Sequence, residues 1–268
     1  MRLTWLLGDT GISATARIVL AQADAMIAKG HEARIVTTGL PLTWRSSRAE
    51  WLYVDDLSEY VPDAGEIVVP ADAVRANPIV DDDFYRERLP RENEPLCVLL
   101  SGGSQAEDKG IGEGYGAVAH ARWFHQTLDL VRVSPWAPSR QEPLDSVQEF
   151  HVSLTGREMT RLLHSCDVLI APNRREDPQS LTTLEALASG LACVVTATPQ
   201  YLAHGDDYAL FAPPDNAVEL GERLIEVASD PAVRQRLRAR GREVAQRWRA
   251  ATVATRLEKL LASVSSRQ

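Results

Sequence analysis

Long apolar runs, positive charge and cysteine are what this sequence has least of, and each shortage removes a class of protein. No stretch approaches the ~18 consecutive apolar residues that a membrane-spanning helix needs. Arg2 is followed by only a short apolar run, broken at Gly8-Asp9, so no secretory leader is expected there. Lysine and arginine total 29 against 37 aspartates and glutamates, a net charge of −8. An acidic chain without a basic face is expected to have no nucleic-acid partner. The three cysteines (Cys97, Cys166 and Cys193) are odd in number, far apart and set in apolar, strand-like surroundings. They read as buried free thiols in a reducing compartment, and a cytoplasmic location is the expectation.

Two nucleotide signatures are missing too. Gly8 and Gly11 do not complete G-x-G-x-x-G, and Gly103 and Lys109 do not complete G-x-x-x-x-G-K. His120 and His125 are five residues apart, about 140° around a helix, so they cannot share one metal. Repeats and low-complexity segments are absent.

What is present reads as alternating strands and helices with room for a real core in 268 residues. Leu3–Leu7 is an apolar strand, Gly8–Gly11 a turn, Ser13 an N-cap, Ala14–Lys29 a helix that Gly30 stops, and His31–Thr38 a second strand. This is a Rossmann-like start, and Gly8, Gly11 and Ser13 mark a nucleotide- or acceptor-facing edge. The plainer reading is a tight strand-to-helix connection. Further strands are expected at Glu50–Val54 and Glu66–Val69, and a proline-flanked acidic stretch follows from Asn77.

From Leu96 the alternation resumes. Strands are expected at Leu96–Leu100, Leu128–Val133, Val147–His151 and Tyr208–Phe211, with a helix at Gly114–Gln126 and Pro199-Gln200-Tyr201 as a loop. Thr155 and Glu158 form a capping box ahead of the stripe Met159, Leu162, Leu163. Ala217–Ala228, Pro231–Trp248 and Ala251–Val264 are amphipathic helices. The second carries Arg234, Arg236, Arg238, Arg240 and Arg242. Its arginines alternate with acidic, amide and apolar residues, which reads as a solvated face; weak peripheral contact with anionic lipid is the alternative.

The stretch Cys166 to Thr196 organises this half. Cys166–Ala171 is a buried strand, Pro172–Ser180 a polar loop, Leu181–Ser189 a helix ended by Gly190, and Ala192–Thr196 another buried strand. The loop therefore leaves a strand at its carboxyl end and enters a helix N-terminus, where open α/β sheets bind ligands and where backbone N–H groups favour anions. Asp177 stands in the loop and Glu185 inside the helix.

The run DPQSLTTLEALASG resembles the donor-site signature of the retaining, nucleotide-sugar-dependent glycosyltransferases of the GT-B fold, family four (glycosyl transferases group 1). That signature is an acid, seven residues, then Glu-Ala-apolar-Ala-small-Gly, and Asp177 and Glu185 have its spacing (185 − 177 = 8). The Gly-Phe-Gly that usually follows the acid is here Pro178-Gln179-Ser180, and Glu176 would serve as the acid only with a one-residue slip. Asn77–Arg86 is similar to the family's inter-domain segment, and KGHEARIVT to the continuation of its first helix.

The resemblance implies an α/β, GT-B-like fold of two Rossmann-like domains facing a cleft, the first abbreviated. The division would be residues 1–76, a linker at 77–94, a nucleotide-sugar-binding domain at 95–250, and a last helix at 251–268 crossing back. It implies a retaining transfer of a sugar from a UDP- or GDP-type donor to an acceptor. The leaving diphosphate would meet Gly102, Gly103 and Ser104, the matching lysine Lys109, and the amides of Gln179, Ser180 and Leu181. Asp177 would accept from donor sugar hydroxyls and Glu185 from the ribose diol, with Asp177 and Lys109 the catalytic pair. The family's usual turn arginine is absent; Arg174 or Arg175 would replace its charge, or else serve as a surface residue paired with Glu176 and Asp177. No metal or other cofactor is expected, since lysine and helix dipole hold the charge. The alternative is a nucleotide-sugar-binding protein without transferase activity, suggested by the short first domain.

Overall fold

The computed structural model describes residues 1–86, 95–124, 127–174 and 180–265. The chain divides into two compact units, Met1–Asp82 with Arg247–Gln268, and Asp83–Gln246. Each is built on its own parallel sheet. The architecture is the expected Rossmann-like α/β type.

The first unit contains β1 (Arg2–Leu7), α1 (Ala14–Ala28), β2 (Glu32–Thr37), β3 (Glu50–Tyr53), β4 (Glu66–Val68) and a short α2 (Ala71–Ala76). Its four strands lie in the order β3-β2-β1-β4, all parallel. The central strand β1 buries Leu3, Trp5 and Leu7. Trp5 donates its indole N–H to Gln22 Oε1 at 3.0 Å, and Gln22 Nε2 donates to the carbonyls of Val74 and Asn77 at 3.0 and 2.7 Å. One buried amide thus satisfies the frayed carbonyl end of α2, which the sequence pattern did not announce. Asn77, Ile79 and Val80, placed in the linker by resemblance, are buried within this unit.

The second unit follows with β5 (Leu96–Ser101), α3 (Ile111–Phe124), β6 (Leu128–Ser134), β7 (Glu149–Val152), α4 (Gly156–Ser165), β8 (Val168–Ala171), α5 (Leu181–Ala188) and β9 (Ala192–Thr196). It continues with α6 (Pro199–Leu202), β10 (Leu210–Ala212), α7 (Ala217–Ser229) and α8 (Pro231–Ala245). The strand order is β10-β9-β8-β5-β6-β7, again all parallel. Strands β8 and β9 are buried at every residue, as strands covered by helices on both faces must be. The capping box at Thr155 and Glu158 is present in full.

Three local expectations change. The helix α3 starts at Ile111, ahead of Gly114, because Gly110 adopts φ +59 and launches it. Pro199–Leu202 is one helical turn, not a loop, with proline at a first-turn position where its missing N–H costs nothing. The last strand is Leu210–Ala212, shifted from Tyr208–Phe211, because Tyr208 is wholly buried and its hydroxyl donates to Tyr201 O at 2.8 Å.

The arginine-rich helix α8 spends its charge on protein. Arg234 donates to the carbonyls of Val227 and Ala228 that end α7, Arg238 pairs with Asp167, and Arg240 with Asp207 and Glu243. The last helix, α9 (Ala250–Ser265), returns to the first unit, where Lys29 and His31 both meet Glu258. No described helix is long and apolar enough to cross a membrane. All three cysteines are buried and none is in a disulfide, and burial pushes the Cys193 thiol far up.

Candidate functional site

In the second sheet β5 is flanked by β6 on one side and β8 on the other, so the chain winds outward in opposite directions from this point. The loops leaving β5 and β8 lie side by side there, and such a switch point is where open α/β sheets hold ligands. The first loop runs from Ser101 to Gly110. The second begins at Pro172 and ends where Ser180 precedes α5.

The two loops touch through backbone. Arg174 N donates to Asp108 O at 2.8 Å. Gly110 lies so close that a methyl there would sit 1.9 Å from Pro172 O. Gly102 is at φ +132, an arrangement that only glycine adopts readily, and its N–H donates to Val133 O at 3.0 Å. Lys109 closes a 3-10 turn, Glu107–Lys109, directly before Gly110, with Nζ 4.0 Å from Asp108 Oδ2. Gly102, Gly103, Ser104 and Lys109 therefore belong to one folded loop, knotted further by Ala106 N to Gly103 O and Lys109 N to Ala106 O.

Underneath lies an element that sequence reasoning missed. Arg132 on β6 has no solvent exposure and donates Nη1 to Leu100 O at 2.8 Å and Nη2 to Gly102 O at 3.0 Å. Its Nε and Nη2 also meet Glu142 Oε1 at 2.9 and 2.7 Å, and Tyr115 OH donates to that same oxygen at 2.9 Å. The rings of Tyr115 and Phe150 enclose the guanidinium, with centroids 5.7 and 5.3 Å from its carbon. Burial pushes Glu142 up, but hydrogen bonds and charge from Arg132, with hydrogen bonds from Tyr115 and Ser104, outweigh it and hold the carboxyl below the usual glutamate range. Burial pushes the Tyr115 phenol up to about 12. The warning in the sequence was an arginine set between two valines in the strand LDLVRVS.

Arg174, expected to meet phosphate, is held by protein carboxylates. It pairs with Glu113 on α3 and with Asp215 at 3.0 Å. The hydrogen bond that Arg174 donates to Glu113, then the charge of Glu113 and that of Asp215, raise the guanidinium above its ordinary range. A phosphate at Arg174 would therefore compete with two acids already in place.

On the β8 side, Ser180 occupies the N-cap position of α5 without a side-chain cap, and Leu181 is buried at the first position. Glu185 sits in the second turn, 1% exposed. A buried polar cluster underlies these residues. Asn173 Nδ2 donates to Tyr201 OH at 3.1 Å, Thr183 Oγ1 lies 3.2 Å from that hydroxyl, and Thr196 Oγ1 donates to Asn173 O at 2.5 Å. Asp177 and Gln179, with Arg175 and Glu176, lie outside the described residues.

The remaining sequence-derived positions belong to the first unit. Gly11 N donates to Asp9 Oδ1 at 2.8 Å, Gly8 O accepts from Thr38 Oγ1 at 2.9 Å, and Ser13 Oγ caps α1 by accepting from Ala16 N at 3.1 Å. They lie in the turn between β1 and α1. Among the described residues no three His, Cys, Asp or Glu side chains gather as a metal site, and His120 pairs with Glu222 at 2.8 Å. His125 lies outside the described residues.

Comparison with known proteins agrees with this fold. Residues 98–230 match the family model described as glycosyl transferases group 1, a span that contains both switch-point loops and α5. Among solved structures the chain is similar to WaaG, a glycosyltransferase involved in lipopolysaccharide biosynthesis, at TM-score 0.72 and 14% identity over 97% of this chain and 99% of that one. It is similar to sucrose-phosphate synthase from Thermosynechococcus elongatus at 0.69 and 12%, covering 100% of both chains. It is similar also to HepE from Anabaena, solved in complex with UDP-glucose, at 0.68 and 11%, covering 98% of this chain and 100% of that one. No curated protein sequence matches the chain.

Proposed function

We propose, from the membership of this chain in the group 1 glycosyltransferases of the GT-B fold, that it moves a sugar from a nucleoside diphosphate donor to an acceptor with retention of anomeric configuration. The observation that carries the proposal is the folded loop Ser101–Gly110 at the switch point, braced by Arg132 and set against Pro172 and Arg174 of the loop that leaves β8. A diphosphate leaving group needs fixed donors where negative charge builds up, in place before the reaction so that no reorganisation is needed. The turn amides, the Lys109 ammonium and the N–H groups at the start of α5 are donors of that kind. Lys109 and Asp177 are the catalytic pair of this reading, the lysine taking the leaving charge and the aspartate accepting from donor sugar hydroxyls. Glu185 accepts from the ribose diol, and a nearby Arg174 released from Glu113 would add a second cation.

A UDP- or GDP-type donor is proposed because HepE, a structural neighbour, was solved with UDP-glucose. The lysine supplies the cation that the diphosphate requires, so the reaction is proposed to need no metal. Three buried cysteines outside any disulfide support a reducing, cytoplasmic setting. A second reading, sugar-nucleotide binding without transfer, is favoured by the first unit's sheet of only four strands among the described residues.

Thermal shift with UDP, GDP, TDP and ADP tests the donor site, because a ligand that binds only the folded chain raises its apparent stability. At least one diphosphate should raise the melting temperature, and the rise should vanish in Glu185→Gln. Absence of any shift would sink the donor-site assignment. Mass-spectrometric detection of transferred sugar, set against binding with no turnover on any acceptor, separates the two readings.

A further inference from the structure

Trp136 is a large apolar side chain left 52% exposed, and it stands directly on the folded loop of the switch point. A methyl on Gly103 would lie 2.4 Å from Trp136 Cζ3 and 2.5 Å from Cε3. The ring therefore occupies the space that glycine vacates, while about half the residue still faces solvent. Its loop is held in three ways. Trp136 N donates to Ser134 Oγ at 3.1 Å, Ser153 N donates to Ser134 O at 2.9 Å, and Ser153 Oγ donates to Pro135 O at 2.7 Å. Ser153 makes these bonds from φ +51, a left-handed conformation that costs a residue with a Cβ. Backbone strain of this kind persists where the surroundings impose it, and here it fixes the Pro135-Trp136 corner at the end of β6.

We propose that Trp136 is the aromatic platform on which the nucleobase of the donor stacks. This deepens the nucleoside-diphosphate reading above and rests on it. If the turn Gly102–Ser104 takes the diphosphate, the two ends of the donor point to opposite sides of β5. The side of β8 is the one that the reading above gives to the sugar. The base then falls on the β6 side, where Trp136 offers a π-face within one residue's reach of the phosphate turn. Stacking on an indole tolerates any base, because every base has a π-face.

Two substitutions in the full chain test this, read by calorimetric titration with whichever of UDP, GDP, TDP and ADP the unaltered protein binds most tightly. Trp136→Phe keeps an aromatic face; Trp136→Leu still covers Gly103 but has none. The phenylalanine variant should bind within about threefold of the unaltered protein. The leucine variant should bind about tenfold or more weakly, the scale expected when one base–aromatic stack is lost. Equal affinity in all three proteins overturns the platform while leaving the donor site standing, and so does an equal loss in both variants, which would mean that indole shape alone supports the turn. If the unaltered protein binds none of the four nucleotides, the donor-site reading falls and the platform falls with it.

Discussion

Arg132 Nη2 donates to the carbonyl oxygen of Gly102 at 3.0 Å, from a guanidinium with no exposure to solvent. The bond ties the middle of one strand to the turn that ends its neighbour. The Gly102 carbonyl is thereby fixed toward β6. Removing one member of a buried ion pair strands the other charge. Arg132→Met should therefore cost about 3–5 kcal/mol in urea unfolding, and the double change Arg132→Met with Glu142→Leu should cost clearly less. If the single and double variants unfold alike, the pair does not brace the turn.

The same network sets an acid limit. Glu142 has its folded pKa lowered, so the stability it contributes is complete above the ordinary glutamate range and is lost as pH falls through the lowered value. Melting temperature measured from pH 6 down to pH 3 should drop more steeply in the unaltered protein than in Glu142→Gln. Parallel curves would contradict this.

Gly110 and Gly30 both have positive φ, +59 and +87, yet they should respond differently to alanine. At Gly30 nothing lies within 4 Å of an added methyl, whereas at Gly110 it would meet Pro172 O at 1.9 Å. Gly30→Ala should cost only the left-handed penalty, about 1–2 kcal/mol. Gly110→Ala should cost that and more, and should weaken nucleotide binding by parting the two loops. Equal destabilisation in chemical unfolding would mean that the loops separate without penalty.

Lys109→Met should leave the melting temperature within a degree or two, since this side chain is partly exposed on a surface turn. Transfer activity should fall about 10²–10³-fold, the usual cost of removing one preorganised partner of a developing charge. The loss should appear mainly in kcat. A variant with full turnover would remove Lys109 from the catalytic pair.

The period of the apolar residues announced most of the fold. Strands β5, β8 and β9 are apolar runs broken at most by a terminal Ser or Thr, and Thr155, Glu158 and Gly190 punctuate the helices by local backbone chemistry that needs no tertiary partner. Where the reading slipped, a long-range contact had overridden local preference. Tyr208 sits in the core below Tyr201 instead of opening a strand, and Asn77 is held by Gln22, 55 positions away. The acid-to-glutamate spacing located the second loop, since seven residues between two carboxylates is visible in one dimension.

What one dimension determined about this protein is the alternation of strand and helix, the glycines at the turns and the spacing of Asp177 and Glu185, because each depends on neighbours along the chain. Tertiary structure alone decided that Arg132 would leave solvent and brace Gly102, that Trp136 would lie across Gly103, and that Arg174 would be claimed by Glu113 and Asp215. Those pairings join residues from 30 to 61 positions apart, and only the parallel registers of β5, β6 and β8 bring them within reach.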